Sequence, residues 1–172
     1  MFSGCSNLVN LDLSNFDTSK MWTMYYMFYS CKNLMYVDVS SFNTSNVSCM
    51  GSLFRDCSAL KELDLSNFDT SKVRDMTCMF SGCESLTELD LSNFDTRELE
   101  LMHGMFEYCI RLKKLNLSSF NTSKVIDMQS MFEYCTSLQS LNLAHFNTRD
   151  VKYKSGIFYG TKLTNVSTGL KF

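Results

Sequence analysis

The sequence predicts an α/β repeat fold: a right-handed solenoid with one short parallel β-strand and one short helix in every 26-residue coil. Two observations carry this expectation. The pattern MFxxCxxLxxLDLSxF(D/N)T returns every 26 residues from Met1 onward, and within each copy two different hydrophobic periods follow one another in a fixed order. Down the register, Cys5, Cys31, Cys57, Cys83, Cys109 and Cys135 fall in one column, and Phe16, Phe42, Phe68, Phe94, Phe120 and Phe146 in another. Six full repeats occupy residues 1–156, and residues 157–172 begin a seventh in which Thr161 takes the cysteine's place and Leu163 arrives one position early. The reading is one solenoid domain, 1–172, without a linker. Because repeat positions are filled from Met1, the chain is expected to be a fragment of a longer protein, with no signal peptide or N-terminal cap in this segment.

Each element follows from its spacing. Met24, Met27, Phe28 and Cys31 stand at i, i+3, i+4 and i+7, and Met76, Met79, Phe80 and Cys83 repeat the pattern, which predicts a helix of about two turns. The second period is extended. Leu8, Leu11 and Leu13, like Leu60, Leu63 and Leu65, form LxxLxL, whose last pair alternates apolar, polar, apolar along a strand. Strand and helix recur in the same order, so successive strands must run parallel through a right-handed crossover. Asp17, Asn43, Asp69, Asp95, Asn121 and Asn147, each followed by a threonine, are residue types that bond local backbone in turns and caps.

These residues resemble a known family. LxxLxL with a fixed apolar position looks like a leucine-rich repeat, and the MFxxCxxL lead-in with the LDLSxFDTS tail resembles the BspA-like repeats of bacterial surface proteins, abundant also in mycoplasma lipoproteins. The likeness covers essentially the whole chain. Where commoner leucine-rich repeats place an inward asparagine, this chain places the phenylalanine column, so a Phe spine is expected to replace an Asn ladder. The resemblance implies an extracellular, cell-surface protein that adheres to host or microbial proteins or glycans.

Composition sets further limits. A net charge of −2 gives no argument for nucleic acid, and no run of 18 apolar residues exists to enter a membrane. Stacked in-register cysteines project parallel Cβ vectors, whereas a disulfide needs side chains that face each other, so buried free thiols and no disulfides are expected. Cys49 and Cys78 lie off the column. No CxxC pair or nearby histidine completes a metal site. His103 and His145 occupy different columns and read as surface variation. With no nucleophile motif, phosphate loop or dinucleotide fingerprint, and with the glycines reading as scattered among convex positions, an enzyme is not expected and no cofactor is implied.

Two binding surfaces are nominated. On the strand face, Asp12, Tyr36, Asp38, Glu62, Asp64, Glu88, Asp90, Lys113 and Lys114 are expected to point outward. The acid column keeps a parallel sheet soluble and suppresses wrong registers, or forms a strip for a basic protein surface or calcium, with Arg111, Lys113 and Lys114 reversing the sign further along. On the convex side, Trp22, Tyr25, Tyr26 and Tyr29 form an aromatic patch that no other repeat has at those positions. The functional expectation is a non-catalytic adhesion module that recognises a protein or glycan; the alternative is a spacer, or a repeat that associates end to end into a surface layer or filament. Ice binding by the Thr18, Thr44, Thr70, Thr96, Thr122 and Thr148 column would require those threonines to form a flat exposed array.

Overall fold

A computed structural model describes residues 1–168; Gly169–Phe172, the end of the partial seventh repeat, lie outside the described residues. The 26-residue units stack as rungs, and the chain places six short strands on one side: β1 (Asn10–Leu11), β2 (Tyr36–Val37), β3 (Glu88–Asp90), β4 (Lys114–Asn116), β5 (Ser140–Leu143) and β6 (Asn165–Thr168). All pairings are parallel, as predicted, with Leu89 opposite Leu115 one full repeat away. The last pair is offset by one, Leu141 opposite Val166, because the seventh repeat reaches its strand one residue early. The sheet is not continuous. It forms as three two-stranded pieces, β1–β2, β3–β4 and β5–β6, and the third rung crosses the strand position at Glu62–Asp64 without forming a strand.

The predicted helix does not form in any described residue. Instead, each MxxMFxxC segment is a run of tight turns. The Met27, Cys31 and Leu34 amides donate to the Met24, Phe28 and Cys31 carbonyls three residues back, at 3.1, 3.1 and 3.0 Å. Alternate amides point along the stack: Met24, Tyr26, Phe28 and Ser30 donate to Cys49, Gly51, Leu53 and Arg55 of the next rung at 2.8–3.2 Å. A parallel bridge links Thr23, Cys49, Asp75, Leu101, Asp127 and Tyr153 from rung to rung. Turns repeated every four residues place apolar side chains at i, i+3, i+4 and i+7 just as a helix does, which is why the spacing misleads. Two residues per rung adopt left-handed φ, for example Tyr26 at +58° and Ser30 at +57°, which an α-helix excludes.

The interior is a set of ladders. Phe28, Phe54, Phe80, Phe106 and Phe132 are fully buried and stack at 5.3–6.0 Å with interplanar angles of 3–8°. The second phenylalanine column packs at the strand-side corner, with Phe94, Phe120 and Phe146 at 6.4 Å spacing. From Cys31 to Cys135 the cysteine column lies in the same interior, while Cys5, expected to be buried, is exposed in the terminal rung that no neighbour covers; all eight cysteines are free. The Cys57, Cys83, Cys109 and Cys135 thiols donate to the Phe28, Phe54, Phe80 and Phe106 carbonyls of the preceding rung at 3.0–3.2 Å. Cysteine is therefore more than a small hydrophobe here. Its thiol gives a second donor to a carbonyl that already accepts the cysteine amide of its own rung.

Burial raises these thiol pKa values, that of Cys135 to about 12. The unfolded chain ionises first, near the ordinary value of 9.0. Stability is therefore full below about pH 9 and falls as pH rises toward the raised values, by up to about 1.4 kcal/mol per pH unit for each thiol. Urea unfolding at stepped alkaline pH is expected to show this loss. In the native state, alkylation should mark exposed Cys5 first and half-buried Cys49 more slowly, leaving the buried column to react only after unfolding.

Two side-chain ladders were not foreseen in detail. The Thr18, Thr44, Thr70, Thr96 and Thr122 hydroxyls are buried, and each brackets the next rung. Thr70 Oγ1 donates to the Asp95 carbonyl at 3.0 Å and accepts from the Asp95 amide at 2.8 Å. Burial of these five removes the flat exposed array that ice binding would need. One residue before the phenylalanine, Ser41, Asn67, Asn93 and Ser119 donate to the Leu13, Val39, Leu65 and Leu91 carbonyls of the preceding rung at 2.9–3.0 Å. This column is exposed and stands beside the buried phenylalanine spine. His145 occupies the same column and is exposed, as surface variation would have it, and its Nε2 also lies 3.0 Å from the Leu117 carbonyl.

Candidate binding faces

The strand face is built by alternation. In β3, Glu88 and Asp90 are exposed while Leu89 is buried, and the same alternation exposes Lys114 and Asn116 around half-buried Leu115 in β4. Asp12, Tyr36, Asp38, Glu62, Asp64, Glu88, Asp90, Lys113 and Lys114 are all solvent-exposed, as expected. The aspartate column has a structural role that the sequence reading missed. Asp12, Asp38, Asp64 and Asp90 each accept the amide of the serine two residues on, Ser14, Ser40, Ser66 and Ser92, at 2.9 Å. Asn116 does the same for Ser118 at 3.1 Å. These carboxylates end the strand and turn the corner, and the serine hydrogen bonds hold their pKa values below the usual carboxylate range.

Where the sheet is interrupted, the strand face opens. Tyr36, Lys61, Glu62, Leu63, Asp64, Thr87 and Glu88 line a cleft of about 380 Å³ at the third rung. A second, of about 330 Å³, lies between β4 and β5 with Lys113, Lys114, Ser140, Asn142 and Asn165 on its walls. Lys114 Nζ donates to Glu88 Oε1 at 2.6 Å, so the predicted reversal of sign is partly neutralised where the two halves meet. Both groups are exposed, and such a pair adds little stability. Among the described residues no group of three His, Cys, Asp or Glu side chains is placed to hold a metal ion, which leaves the calcium reading without a site.

The opposite side, the turn face, carries the aromatic residues. Trp22 is 70% exposed, Tyr25 47% and Tyr26 37%. The Tyr25 and Tyr26 rings lie 4.1 Å apart and the Tyr26 and Tyr29 rings 5.0 Å apart, so the predicted tyrosines do form one cluster, though on turns and not on a helix. A hydrogen bond with Tyr26, aided by burial, pushes the Tyr25 hydroxyl up to about 12. Tyr25 leans over Gly51 of the next rung: a Cβ there would meet its Cε2 at 2.7 Å. A second cluster went unrecognised in the sequence. Tyr108 and Tyr134 stack at 4.9 Å, and Tyr159 meets Tyr134 edge-on at 5.5 Å. The signal for Tyr108 and Tyr134 was a 26-residue spacing in a column otherwise made of Gly, Ser and Asp.

Comparison with known proteins agrees with this architecture. The chain resembles a leucine-rich repeat protein from Bacteroides ovatus with a TM-score of 0.61 at 16% identity, over 98% of this chain and 43% of the other. It resembles a leucine-rich repeat protein from Eubacterium ventriosum with a TM-score of 0.52 at 23% identity, over 89% of this chain and 44% of the other. These likenesses carry the repeat fold alone, and the chain spans less than half the length of either. No curated protein matches it. The family described as "Mycoplasma protein of unknown function, DUF285" matches twice, over residues 1–89 and 79–170, and so takes in nearly every rung. The chain belongs to this DUF285 family, which is consistent with the BspA-like leucine-rich repeat that its residues resemble.

Proposed function

We propose that the chain is a non-catalytic binding module, displayed on a cell surface, that recognises a protein or glycan through its strand face. The observation that carries the reading is the contrast between columns. Inward positions repeat almost unchanged from rung to rung, whereas one outward strand column runs Asn10, Tyr36, Glu62, Glu88, Lys114 and Ser140. A stack that needed only to hold itself together has no use for that variety on an exposed side. Family resemblance to bacterial surface proteins supports the location.

Because the aspartates also turn the corner, their charge must be tested without removing the turn. Asn116 and Asn142 show that asparagine keeps the same hydrogen bond, at 3.1 Å in both. Asp64→Asn/Asp90→Asn is therefore expected to fold normally yet lose most binding on a glycan and matrix-protein array, as is Tyr36→Ser. Unchanged binding in both variants contradicts the strand-face assignment. Absence of any array ligand, with an apparent molar mass from light scattering that grows with protein concentration, favours the spacer or filament alternative.

A further inference from the structure

The cleft between β4 and β5 differs in chemistry from the rest of the strand face. These two strands are not hydrogen-bonded to each other, and the opening of about 330 Å³ between them is walled by Lys113, Lys114, Ser140, Asn142, Asn165 and Ser167. Its floor is apolar, formed by half-buried Leu115 and buried Leu141. Among the described residues no carboxylate lines it. The column that holds Asp12, Asp38, Asp64 and Asp90 in the first four rungs changes to Asn116, Asn142 and Ser167 in the next three, and the change coincides with the arrival of the two lysines.

The wall presents donors. Lys113 is exposed, and among the described residues its ammonium has no acidic partner. Lys114 shares its charge with Glu88, but an ion pair between two exposed side chains opens at little cost. Asn142 Oδ1 accepts the Ala144 amide at 3.1 Å, which fixes the side-chain amide and leaves Nδ2, the donor, for a ligand. Ser140, Asn165 and Ser167 are exposed beside it. One free cation, one shared cation and four neutral hydrogen-bonding side chains thus face a single opening.

We propose that this cleft binds one sugar residue of a glycan that carries a single negative charge, a carboxylate or a sulfate ester. The anion lies between the Lys113 and Lys114 ammonium groups, Asn142 Nδ2 donates to a sugar oxygen, and the Ser140, Asn165 and Ser167 side chains exchange hydrogen bonds with neighbouring hydroxyls. A nucleic acid fits worse, because its next charges would fall near Glu88 and Asp90 one rung away, which repel them. A protein carboxylate would satisfy the lysines but cover the four neutral groups with nothing to bond them. The inference rests on the strand-face reading for its location and adds a ligand class; Tyr36, Asp64 and Asp90 take no part in it.

Calorimetric titration at low salt with tetragalacturonate, 3′-sialyllactose, a κ-carrageenan tetrasaccharide, cellotetraose and a thymidylate oligonucleotide tests it. At least one of the three anionic sugars is expected to bind roughly tenfold or more tightly than neutral cellotetraose and the oligonucleotide, and to weaken as salt rises. The first two offer carboxylates and the third sulfates, so the sugar that binds identifies the anion. Lys113→Gln removes an exposed ammonium that holds nothing in the fold, so it should leave Tm unchanged while weakening the anionic sugar roughly tenfold or more. Lys61→Gln, in the same column two rungs earlier and outside the cleft, should bind like the wild type. Asp64→Asn/Asp90→Asn should keep the anionic sugar or tighten it. The proposal is overturned if no anionic sugar binds, if cellotetraose or the oligonucleotide binds as tightly, or if Lys113→Gln binds as tightly as the wild type. Should Asp64→Asn/Asp90→Asn still lose an array ligand in any of those cases, the strand face stands and only the cleft assignment falls.

Discussion

Phe80→Ala is expected to destabilise the protein by about 3–5 kcal/mol, the cost of emptying a large buried aromatic site that its neighbours cannot refill. Phe80 is fully buried and stacks on Phe54 at 6.0 Å and on Phe106 at 5.7 Å, so its loss removes contacts on both sides of one rung. In a stack held by nearest-neighbour interfaces, a weak central rung also divides the molecule. Urea unfolding should therefore show a lower midpoint and a broader transition as the two halves lose coupling. Phe2→Ala should do much less, because Phe2 is only partly buried and stacks on Phe28 alone in its column.

The second large effect is expected from one oxygen atom. Thr70→Val keeps the shape of the side chain but leaves the Asp95 amide and carbonyl without the hydroxyl that bonds both. Orphaning a buried backbone group costs about 1–3 kcal/mol, so the pair should lower stability by roughly 2–5 kcal/mol. Thr70→Ser retains the oxygen and should lose far less. A Val variant as stable as the Ser variant would show that the bracket is incidental.

The stack itself was legible because its signal is redundant: a dozen columns at constant spacing sort each side chain inward or outward before any local structure is assigned. Leu63, Leu65 and Phe68 lie in or against the interior as read, and the Asp69 carboxylate accepts the Ser71 amide at 3.0 Å as its residue type suggests. The helix was misread because apolar spacing reports which positions face inward, and turns closed every four residues share that spacing with a helix. The discriminating signal was glycine. Gly4, Gly82 and Gly160 share one column and Gly104 and Gly156 another, and these are the two left-handed positions of the rung. Residues at those positions cannot continue a helix without strain.

The candidate sites were legible to different degrees. Exposure of the strand-face residues followed from alternation alone. That Asp64 and Asp90 also close turns did not, because an outward acid and a turn-forming acid look alike in one sequence. The break in the sheet at Glu62–Asp64 is not written in the local pattern: Leu63 and Leu65 fit a strand as well as Leu89 and Leu91 do. The Tyr108–Tyr134 stack was overlooked because a helical reading gave its column no special conformation, and so gave a tyrosine there no strain to explain.

The central claim is that each turn segment is bonded to the next rung and not to itself as a helix. Scalar couplings transmitted through hydrogen bonds, measured by NMR between amide nitrogen and carbonyl carbon, report this one bond at a time. The structure predicts coupling from the Phe80 amide to the Met105 carbonyl and from the Phe106 amide to the Met131 carbonyl, bonds of 3.0 and 2.9 Å across the stack. Coupling from Phe80 to Met76 and from Phe106 to Met102, four residues back in the same segment, would contradict it.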